Sequence, residues 1–221
     1  MLEELNKMFE SETIKPTFDF VHIILALIIF GKYSGGMGRY KLEKELLIGA
    51  GTARSLITKL KRKVNFLTVL GDKNKRKGHI LTEQGLNFLN NLKKRIPIIE
   101  EGDMSVLKDL TIESQNASTY FCQIKNGANK LTNGMAQRDA AIKLGGNGAT
   151  CLVYDGIKLV FKLSSITEKE KNQMIINENI QKYFVENSTL NLEKNDVIII
   201  GLADNPKKAR LIALNAALTL L

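Results

Sequence analysis

The segment GAGTARSLITKLKRK, residues 49–63, carries the most informative pattern in this chain. Residues 49–51 predict a tight turn, and residues 52–63 predict a helix that follows it at once. One face of this helix is apolar at the i, i+3, i+4, i+7 spacing of a stripe that packs on a core. The members of this stripe are Ala53, Leu56, Ile57, Leu60 and Val64. We therefore expect one side of the helix to be buried and the other to be open.

The opposite face of the predicted helix 52–63 is basic and rich in hydrogen-bond donors. Its members are Thr52, Arg54, Ser55, Thr58, Lys59, Lys61 and Arg62. The segment 52–63 contains no carboxylate, which distinguishes it from the mixed charge of most solvated helices. Arg, Ser and Thr side chains suit contacts with base edges and phosphates, and the later cations suit phosphates.

The excess positive charge of the whole chain lies in the part that contains this basic helix. Residues 1–97 carry 18 Lys and Arg against 9 Asp and Glu, whereas residues 98–221 carry 14 of each. The net charge of +9 therefore belongs to the first part alone. This division predicts two modules with different partners, of which the basic one is suited to a polyanion such as nucleic acid.

The segments around residues 52–63 predict a compact helical module with a hairpin. Before the turn we expect a helix at 16–33, a short strand at 39–42 and a second helix at 43–48. After it we expect a strand at 66–71, a basic turn at 72–78, a returning strand at 79–81 and a helix capped by Thr82. The cations of the basic turn are Lys73, Lys75, Arg76 and Lys77. His22 lies among apolar residues and is expected to be a hydrogen-bonded core histidine.

This order of elements over about residues 17–96 resembles the winged helix-turn-helix family. The segment RKGHILTEQG, residues 76–85, is similar to the second wing strand and final helix of many prokaryotic regulators. The chain also resembles archaeal winged-helix proteins that carry a C-terminal α/β domain. The resemblance implies duplex DNA binding, with the third helix in the major groove and the wing beside the backbone. It further implies a transcription regulator, and we expect a cytoplasmic one.

The C-terminal part predicts a small α/β domain at 117–221, joined to the basic module 1–97 by a linker at 98–116. The predicted order is β-α-β-β-α-β-α, and its first six elements match the split βαβ, or ferredoxin-like, arrangement. Asp155-Gly156 predicts a type I′ hairpin between the second and third strands. The expected fold class is thus α+β. It combines a winged helix-turn-helix with a ferredoxin-like (βαββαβ) domain and an extra C-terminal helix. The predicted elements are strands at 118–125, 149–154, 157–163 and 196–201 and helices at 134–144, 167–186 and 205–221.

Two loops of the C-terminal part are candidates for binding a small-molecule effector. The candidate residues are Lys125, Asn129, Arg138, Asp204, Asn205 and Lys207. Lys207 follows a helix start, where unpaired backbone N–H groups attract anions. The alternative is that Asp204 or Asn205 simply caps this helix, and we favour that alternative. The apolar final helix is also expected to contribute to a homodimer, since winged helices commonly read paired half-sites.

Several classes of function have no support in the sequence. No phosphate-binding loop of the G-x-x-x-x-G-K-[ST] or G-x-G-x-x-G type occurs, and only two His and two Cys are present. We therefore expect no metal and no cofactor, and we expect Cys122 and Cys151 to be buried thiols in a reducing compartment. We expect neither a signal peptide nor a membrane span. Two alternatives to a regulator stay open: an enzyme with Lys125, Arg138 and Asp204 in one pocket, and an RNA-binding or protein-binding adaptor.

Overall fold

The computed structural model describes residues 2–10, 16–71, 78–110, 117–162 and 175–221. The chain divides into two compact units, Met1–Leu92 and Lys93–Leu221. Helices and strands are mixed, and the second unit contains a five-stranded sheet. In the described ranges, no helix has the length and apolar character needed to cross a membrane.

The first unit is mainly helical. Its elements are a 3-10 helix (Leu2–Met8), α1 (Phe20–Lys32), α2 (Arg39–Leu46), α3 (Ala50–Arg62), β1 (Leu67–Val69), β2 (His79–Leu81) and the start of α4 (Glu83–Arg95). The strands β1 and β2 pair antiparallel, with Leu67 opposite Leu81. Thr82 caps α4 as predicted, because its Oγ1 accepts the backbone N–H of Gly85 at 3.1 Å. The predicted returning strand at 79–81 is confirmed, because His79–Leu81 forms β2 and pairs with β1.

The core of the first unit forms where α1 and the apolar stripe of α3 are buried. Leu56 and Leu60 are fully buried, as the stripe predicts. The helix α1 begins at Phe20, later than the predicted residue 16, because Asp19 is in extended conformation and caps it. His22 is 7% exposed, and its Nδ1 accepts the backbone N–H of Asp19 at 3.0 Å. The predicted core histidine is confirmed, and its burial lowers the pKa of the imidazole.

The strand predicted at 39–42 is wrong. These residues form the first turn of α2, which places Leu42 and Leu46 on one buried face at i, i+4 spacing. The extended contact occurs earlier, at Met37, which forms an isolated antiparallel bridge with His79. The prediction failed because the choice between strand and helix for such a short segment depends on a distant partner.

The second unit is built around one antiparallel sheet. Its elements are β3 (Ile99–Gly102), α5 (Met104–Leu107), β4 (Ser118–Ile124), α6 (Met135–Lys143), β5 (Gly148–Tyr154), β6 (Leu159–Val160), α7 (Glu178–Val185), β7 (Val197–Ala203) and α8 (Pro206–Leu218), with 3-10 turns at Lys108–Leu110 and Ala128–Lys130. The strand order is β3-β4-β7-β5-β6. The element order predicted from residue 117 onward agrees with these elements. Of the predicted helix 167–186, residues 167–174 lie outside the described residues.

The strand order of this sheet is not the ferredoxin-like order. In that arrangement the third strand, which forms a hairpin with the second, lies between the first and second strands. Here β7, the last strand, lies between β4 and β5, while β6 is at the edge. The motif β4-α6-β5 is still a split βαβ unit, because β4 and β5 are both antiparallel to β7. The order of elements alone did not determine whether β6 or β7 lies between β4 and β5, since both strands run antiparallel to β5.

The linker predicted at 98–116 contains structure that belongs to the second unit. The strand β3 extends the sheet by pairing with β4, with Glu101 opposite Tyr120. It was missed because a four-residue strand with two adjacent glutamates has no alternating apolar pattern. The charges are consistent with an edge strand, where acidic side chains discourage pairing with other chains.

The hairpin between β5 and β6 is present, but its turn differs from the prediction. Tyr154 pairs with Leu159, and Asp155 N donates to Lys158 O at 3.0 Å. Of the two residues predicted to have positive φ, only Gly156 does, at +108°. Asp155 instead accepts two backbone N–H groups through its carboxylate, which lowers the pKa of this carboxyl group.

The final helix α8 packs on its own sheet. Ile212, Ala213 and Leu214 are fully buried. A Cβ added at Gly201 of β7 would meet Ala213 N at 2.6 Å, so the two backbones approach closely. The apolar character of α8, which suggested a dimer interface, is therefore explained by packing within the chain.

Candidate nucleic-acid interface and ligand-binding residues

The exposed side of α3 carries the predicted basic face. Arg54, Thr58, Lys61 and Arg62 are exposed, whereas Thr52, Ser55 and Lys59 are half-buried. The helix rises about 1.5 Å per residue, so Arg54 and Arg62 are roughly 12 Å apart along its axis. The three exposed cations therefore follow one side of the helix over about two turns.

Hydrogen bonds fix several polar side chains of this face. Thr52 Oγ1 lies 2.7 Å from Thr17 Oγ1, which ties the start of α3 to the segment before α1. Thr58 Oγ1 donates to Arg54 O at 2.9 Å, one turn back on the same helix. The Thr58 hydroxyl proton is thus used within the helix, which leaves its oxygen as a hydrogen-bond acceptor.

The N-terminal segment reaches the C-terminal half of α3, which the sequence did not predict. Lys59 Nζ donates to the backbone oxygen of Glu10 at 2.8 Å, and Lys63 Nζ lies 3.8 Å from Glu10 Oε2. Phe9 anchors this segment, with its ring centroid 4.7 Å from that of Phe20. No periodic signal in residues 2–10 could have indicated this contact, because it depends on side chains about fifty positions apart.

The wing predicted at 72–78 falls largely outside the described residues. This applies to all four of its cations, Lys73, Lys75, Arg76 and Lys77. The described strands β1 and β2 lead to and from this segment. Its proposed contact with DNA therefore stays a prediction.

Lys125 lies in a network around a buried carboxylate. Asp196 is 1% exposed and accepts Lys125 Nζ at 2.9 Å. The other donors to this carboxylate are Gln123 Nε2 at 2.9 Å, Asn126 N at 3.0 Å and Glu193 N at 3.0 Å. Lys125 Nζ also donates to Asn191 O at 2.8 Å. The predicted ligand-binding lysine is therefore engaged in joining the end of β4 to the start of β7.

The start of α8 is a capped helix. Asn205 Oδ1 accepts the backbone N–H of Lys208 at 3.0 Å, and Pro206 occupies the first turn. Asp204 lies 3.5 Å from Lys208 Nζ and accepts Asn205 Nδ2 at 3.0 Å. Asn205 therefore caps this helix, as the capping alternative predicts, and contact of Asp204 or Asn205 with a ligand stays a prediction. Lys207, the remaining candidate here, is half-buried.

The structure does not bring the candidate ligand residues into one pocket. The pairing of Ile124 with Val197 and of Ser118 with Ala203 places Lys125 and Asp204 at opposite ends of the sheet. Seven residues of strand separate them by roughly 20 Å. Asn129 is exposed on the 3-10 turn after Lys125. The single pocket of Lys125, Arg138 and Asp204 that would have favoured the enzyme alternative is therefore not formed.

Arg138 is the predicted ligand residue that does lie beside a cavity. It is exposed on α6 and lines a space of about 240 Å³ together with β5. Cys151 lines the same space, and burial raises the pKa of its thiol to about 12. Cys122 is fully buried, and burial likewise raises its pKa. Both cysteines are reduced and buried, as predicted.

Comparison with known proteins gives a family match within the second unit and a fold match over nearly the whole chain. Residues 115–220 match the family model described as "Domain of unknown function (DUF4443)". No curated protein matches the chain. A solved structure, "Hypothetical protein PH0730 from Pyrococcus horikoshii OT3", is 22% identical to it with a TM-score of 0.62, over 92% of this chain and 93% of that chain. At this identity the likeness concerns the fold alone, so the chain is similar to this archaeal protein in fold and to DUF4443 domains over residues 115–220.

Proposed function

We propose that the chain is a cytoplasmic, DNA-binding transcription regulator of the winged helix-turn-helix type. Its α3 (Ala50–Arg62), which covers most of the predicted range 52–63, enters the major groove of duplex DNA, and the basic segment 72–78 lies beside the phosphate backbone. The second unit serves assembly and the sensing of a small molecule. This assignment uses the general geometry of helix-turn-helix proteins, in which the second helix of the motif reads base edges.

The composition of α3 is the observation that supports this proposal most strongly. Its buried side packs Leu56 and Leu60 into the core, while Arg54, Lys61 and Arg62 stand exposed on the other side. A helix held by its apolar face is already ordered before binding, so only the side chains of these cations lose conformational freedom when they contact DNA. The major groove is about 12 Å wide and admits one helix.

A homodimer remains part of the proposal, although α8 no longer supports it. Two half-sites multiply the contacts that a single winged helix makes, which is the usual reason for dimers in this class. On the second unit, Met135 and Ile142 of α6 are 52% and 50% exposed and lie on one side of that helix. Light scattering at tens of micromolar tests the dimer, and a monomer mass would reject it.

Binding to random duplex DNA, followed by fluorescence anisotropy across a salt series, tests the main proposal. Each phosphate neutralised contributes about −0.9 to the slope of log K against log salt. We expect a slope near −4 or steeper, which corresponds to about four or more phosphate contacts. A triple variant with Arg54, Lys61 and Arg62 replaced by Ala should flatten the slope by about 2, because Lys61 and Arg62 are placed for phosphates and Arg54 for base edges.

The control variant loses one positive charge at an exposed position outside α3. Lys143→Ala removes an exposed cation from α6 and should leave both affinity and slope unchanged. Equal weakening by Lys143→Ala and by Arg54→Ala would mean that only net charge matters. Absence of binding at low salt, or stronger binding to duplex RNA, would reject the DNA proposal in favour of an adaptor.

A further inference from the structure

The second unit contains an open groove along one edge of β5. The groove consists of two adjoining cavities of about 240 and 220 Å³ that share Arg138, Ala149 and Thr150. The first also contacts Asn133 and Lys162, and the second reaches Ile200 and Leu202. We call this space the β5-edge groove. Taken together, the two cavities reach the range of about 300–1,000 Å³ that is typical of small-molecule sites.

The backbone of β5 contributes polar groups to this groove. Tyr154 N donates to Asp196 O at 2.9 Å, so the groups of Tyr154 point toward β7. Bonding directions alternate along a strand, so the groups of Ala149 and Cys151 point to the opposite edge. Among the described residues, β6 covers that edge only at Val153 and Tyr154. The amide N–H groups of Ala149 and Cys151 therefore point away from β7, and both residues line the first cavity.

The charged side chains of the groove are both cationic. Arg138 and Lys162 line the first cavity, and none of the described lining residues of either cavity carries a carboxylate. Among the described residues, Arg138 pairs with its neighbour Asp139 at 3.2 Å, and the side chains of this pair are 54% and 63% exposed. An exposed pair of this kind holds a guanidinium only weakly. Lys162 donates to Ala128 O, which uses one of the three donors of the ammonium group.

The remaining wall of the groove is apolar. Leu131, Ile200 and Leu202 are at most 5% exposed and form parts of its floor. Two glycines with positive φ, Gly134 and Gly148, border the groove. Because glycine has no side chain, the backbone is uncovered at these points. A site with two cations, backbone donors and an apolar floor matches a ligand that has an anionic head and an apolar body.

We propose that the β5-edge groove binds a small organic anion, a carboxylate or a phosphate monoester with an apolar body, through Arg138. The planar guanidinium offers two parallel donors to such a head group, and Lys162 adds a second charge. This inference deepens the sensing role within the proposed function. It does not depend on DNA binding, because it concerns only residues of the second unit.

Isothermal titration calorimetry of the full chain without DNA tests this inference. The probes are two matched pairs: phenyl phosphate against phenol, and phenylacetate against phenylacetamide. The pairs separate the phosphate from the carboxylate, and each neutral member reports the apolar contribution alone. At least one anion should bind about tenfold or more tightly than its neutral partner, because hydrogen bonds to a charged group are stronger than those to a neutral group.

Variants then assign the binding to the groove. Arg138→Ala should weaken the binding anion about tenfold or more, and Arg138→Lys should weaken it less, since Lys keeps the charge but loses the two parallel donors. Lys143→Ala on the same helix lies outside the groove and should bind as wild type. Arg54→Ala should also bind as wild type, which excludes attachment of the anion to α3.

Three results would overturn the proposal. They are binding of no probe up to about 10 mM, equal affinity within both pairs, and unchanged affinity in Arg138→Ala. Arg138 is exposed, so loss of folding is not expected, and circular dichroism of each variant checks this. Failure of anion binding together with intact DNA binding would reject the groove alone, whereas the reverse would reject the regulator proposal alone.

Discussion

Lys125 Nζ lies 2.9 Å from Asp196 Oδ2, and this pair joins the end of β4 to the start of β7. The carboxylate is 1% exposed, whereas the lysine side chain is 23% exposed. Backbone and side-chain donors satisfy the rest of the carboxylate, so the pair is part of the framework of the sheet rather than of a ligand site.

Asp196→Asn should destabilise the protein by about 3 kcal/mol. The NH₂ group of the new Asn side chain would replace an oxygen that accepts hydrogen bonds and would face N–H donors. Lys125 would also lose its buried negative partner. Lys125→Met should cost less, about 1–2 kcal/mol, because three donors to the carboxylate remain. Urea unfolding measures both, and Lys143→Met, at an exposed position, is the control expected to change the free energy by less than about 0.5 kcal/mol. A neutral effect of Asp196→Asn would contradict the framework role.

Arg54→Ala tests whether α3 reads bases. If Arg54 contacts a base edge, the variant should lose about 1–3 kcal/mol of binding to a selected operator and discriminate less between sequences. Lys75→Ala and Arg76→Ala should instead weaken binding to all sequences and flatten the salt dependence. Anisotropy with specific and random duplexes separates the two effects. Unchanged affinity in all three variants would show that the docking geometry is wrong.

Glu10→Gln should strengthen DNA binding about two- to fivefold at low salt. The carboxylate of Glu10 lies 3.8 Å from Lys63 Nζ and places a negative charge beside the basic face. An exposed pair of this kind is worth up to about 1 kcal/mol, and salt weakens it. Glu4→Gln removes the same charge from the same segment and is the matched control. Equal gains from the two variants would mean that net charge, not position, is responsible.

His22 should make stability depend on pH. Burial holds the pKa of His22 in the folded chain below its ordinary value of 6.5. Between these two pKa values the unfolded chain binds a proton that the folded chain does not, so stability rises with pH through this window and levels off above about 6.5. Urea unfolding at about pH 7.5 and about pH 5.5 measures the difference.

His22→Gln is the variant that isolates this effect. Gln at this third helical position keeps an acceptor for the Asp19 N–H, as in a capping box, but does not titrate. The loss of stability on acidification should therefore be smaller in the variant than in wild type. An identical pH dependence in both would show that His22 is not the responsible group.

Gly201→Ala should destabilise the second unit by several kcal/mol. The added Cβ would lie 2.6 Å from Ala213 N and 2.8 Å from Ala213 Cα, and backbone atoms cannot move aside cheaply. Gly51→Ala is the opposite case, since nothing lies within 4 Å of its added Cβ and the position is helical. It should stabilise α3 by about 0.5–1 kcal/mol. Thermal unfolding compares the two, and a tolerated Gly201→Ala would contradict the close packing of β7 on α8.

The sequence alone predicted most of the elements and several of their faces. The stripe of α3 was visible because Leu56 and Leu60 recur at helical spacing, and burial of that stripe leaves Arg54 outside. Thr82 and Asn205 were recognised as helix caps because a cap requires only neighbours along the chain. Properties of this kind depend on residues within about one or two turns of each other, and such residues are close in the sequence.

Only the tertiary structure decided how distant segments meet. The entry of β7 between β4 and β5, the partnership of Lys125 with Asp196 and the contact of Glu10 with α3 join positions far apart in the chain. The β5-edge groove also appears only once α6 is packed beside that strand. No local pattern encodes these contacts, because each one is selected by the total burial and hydrogen bonding of the folded chain. The sequence determined which surfaces are apolar or charged, and packing determined which of them remain open.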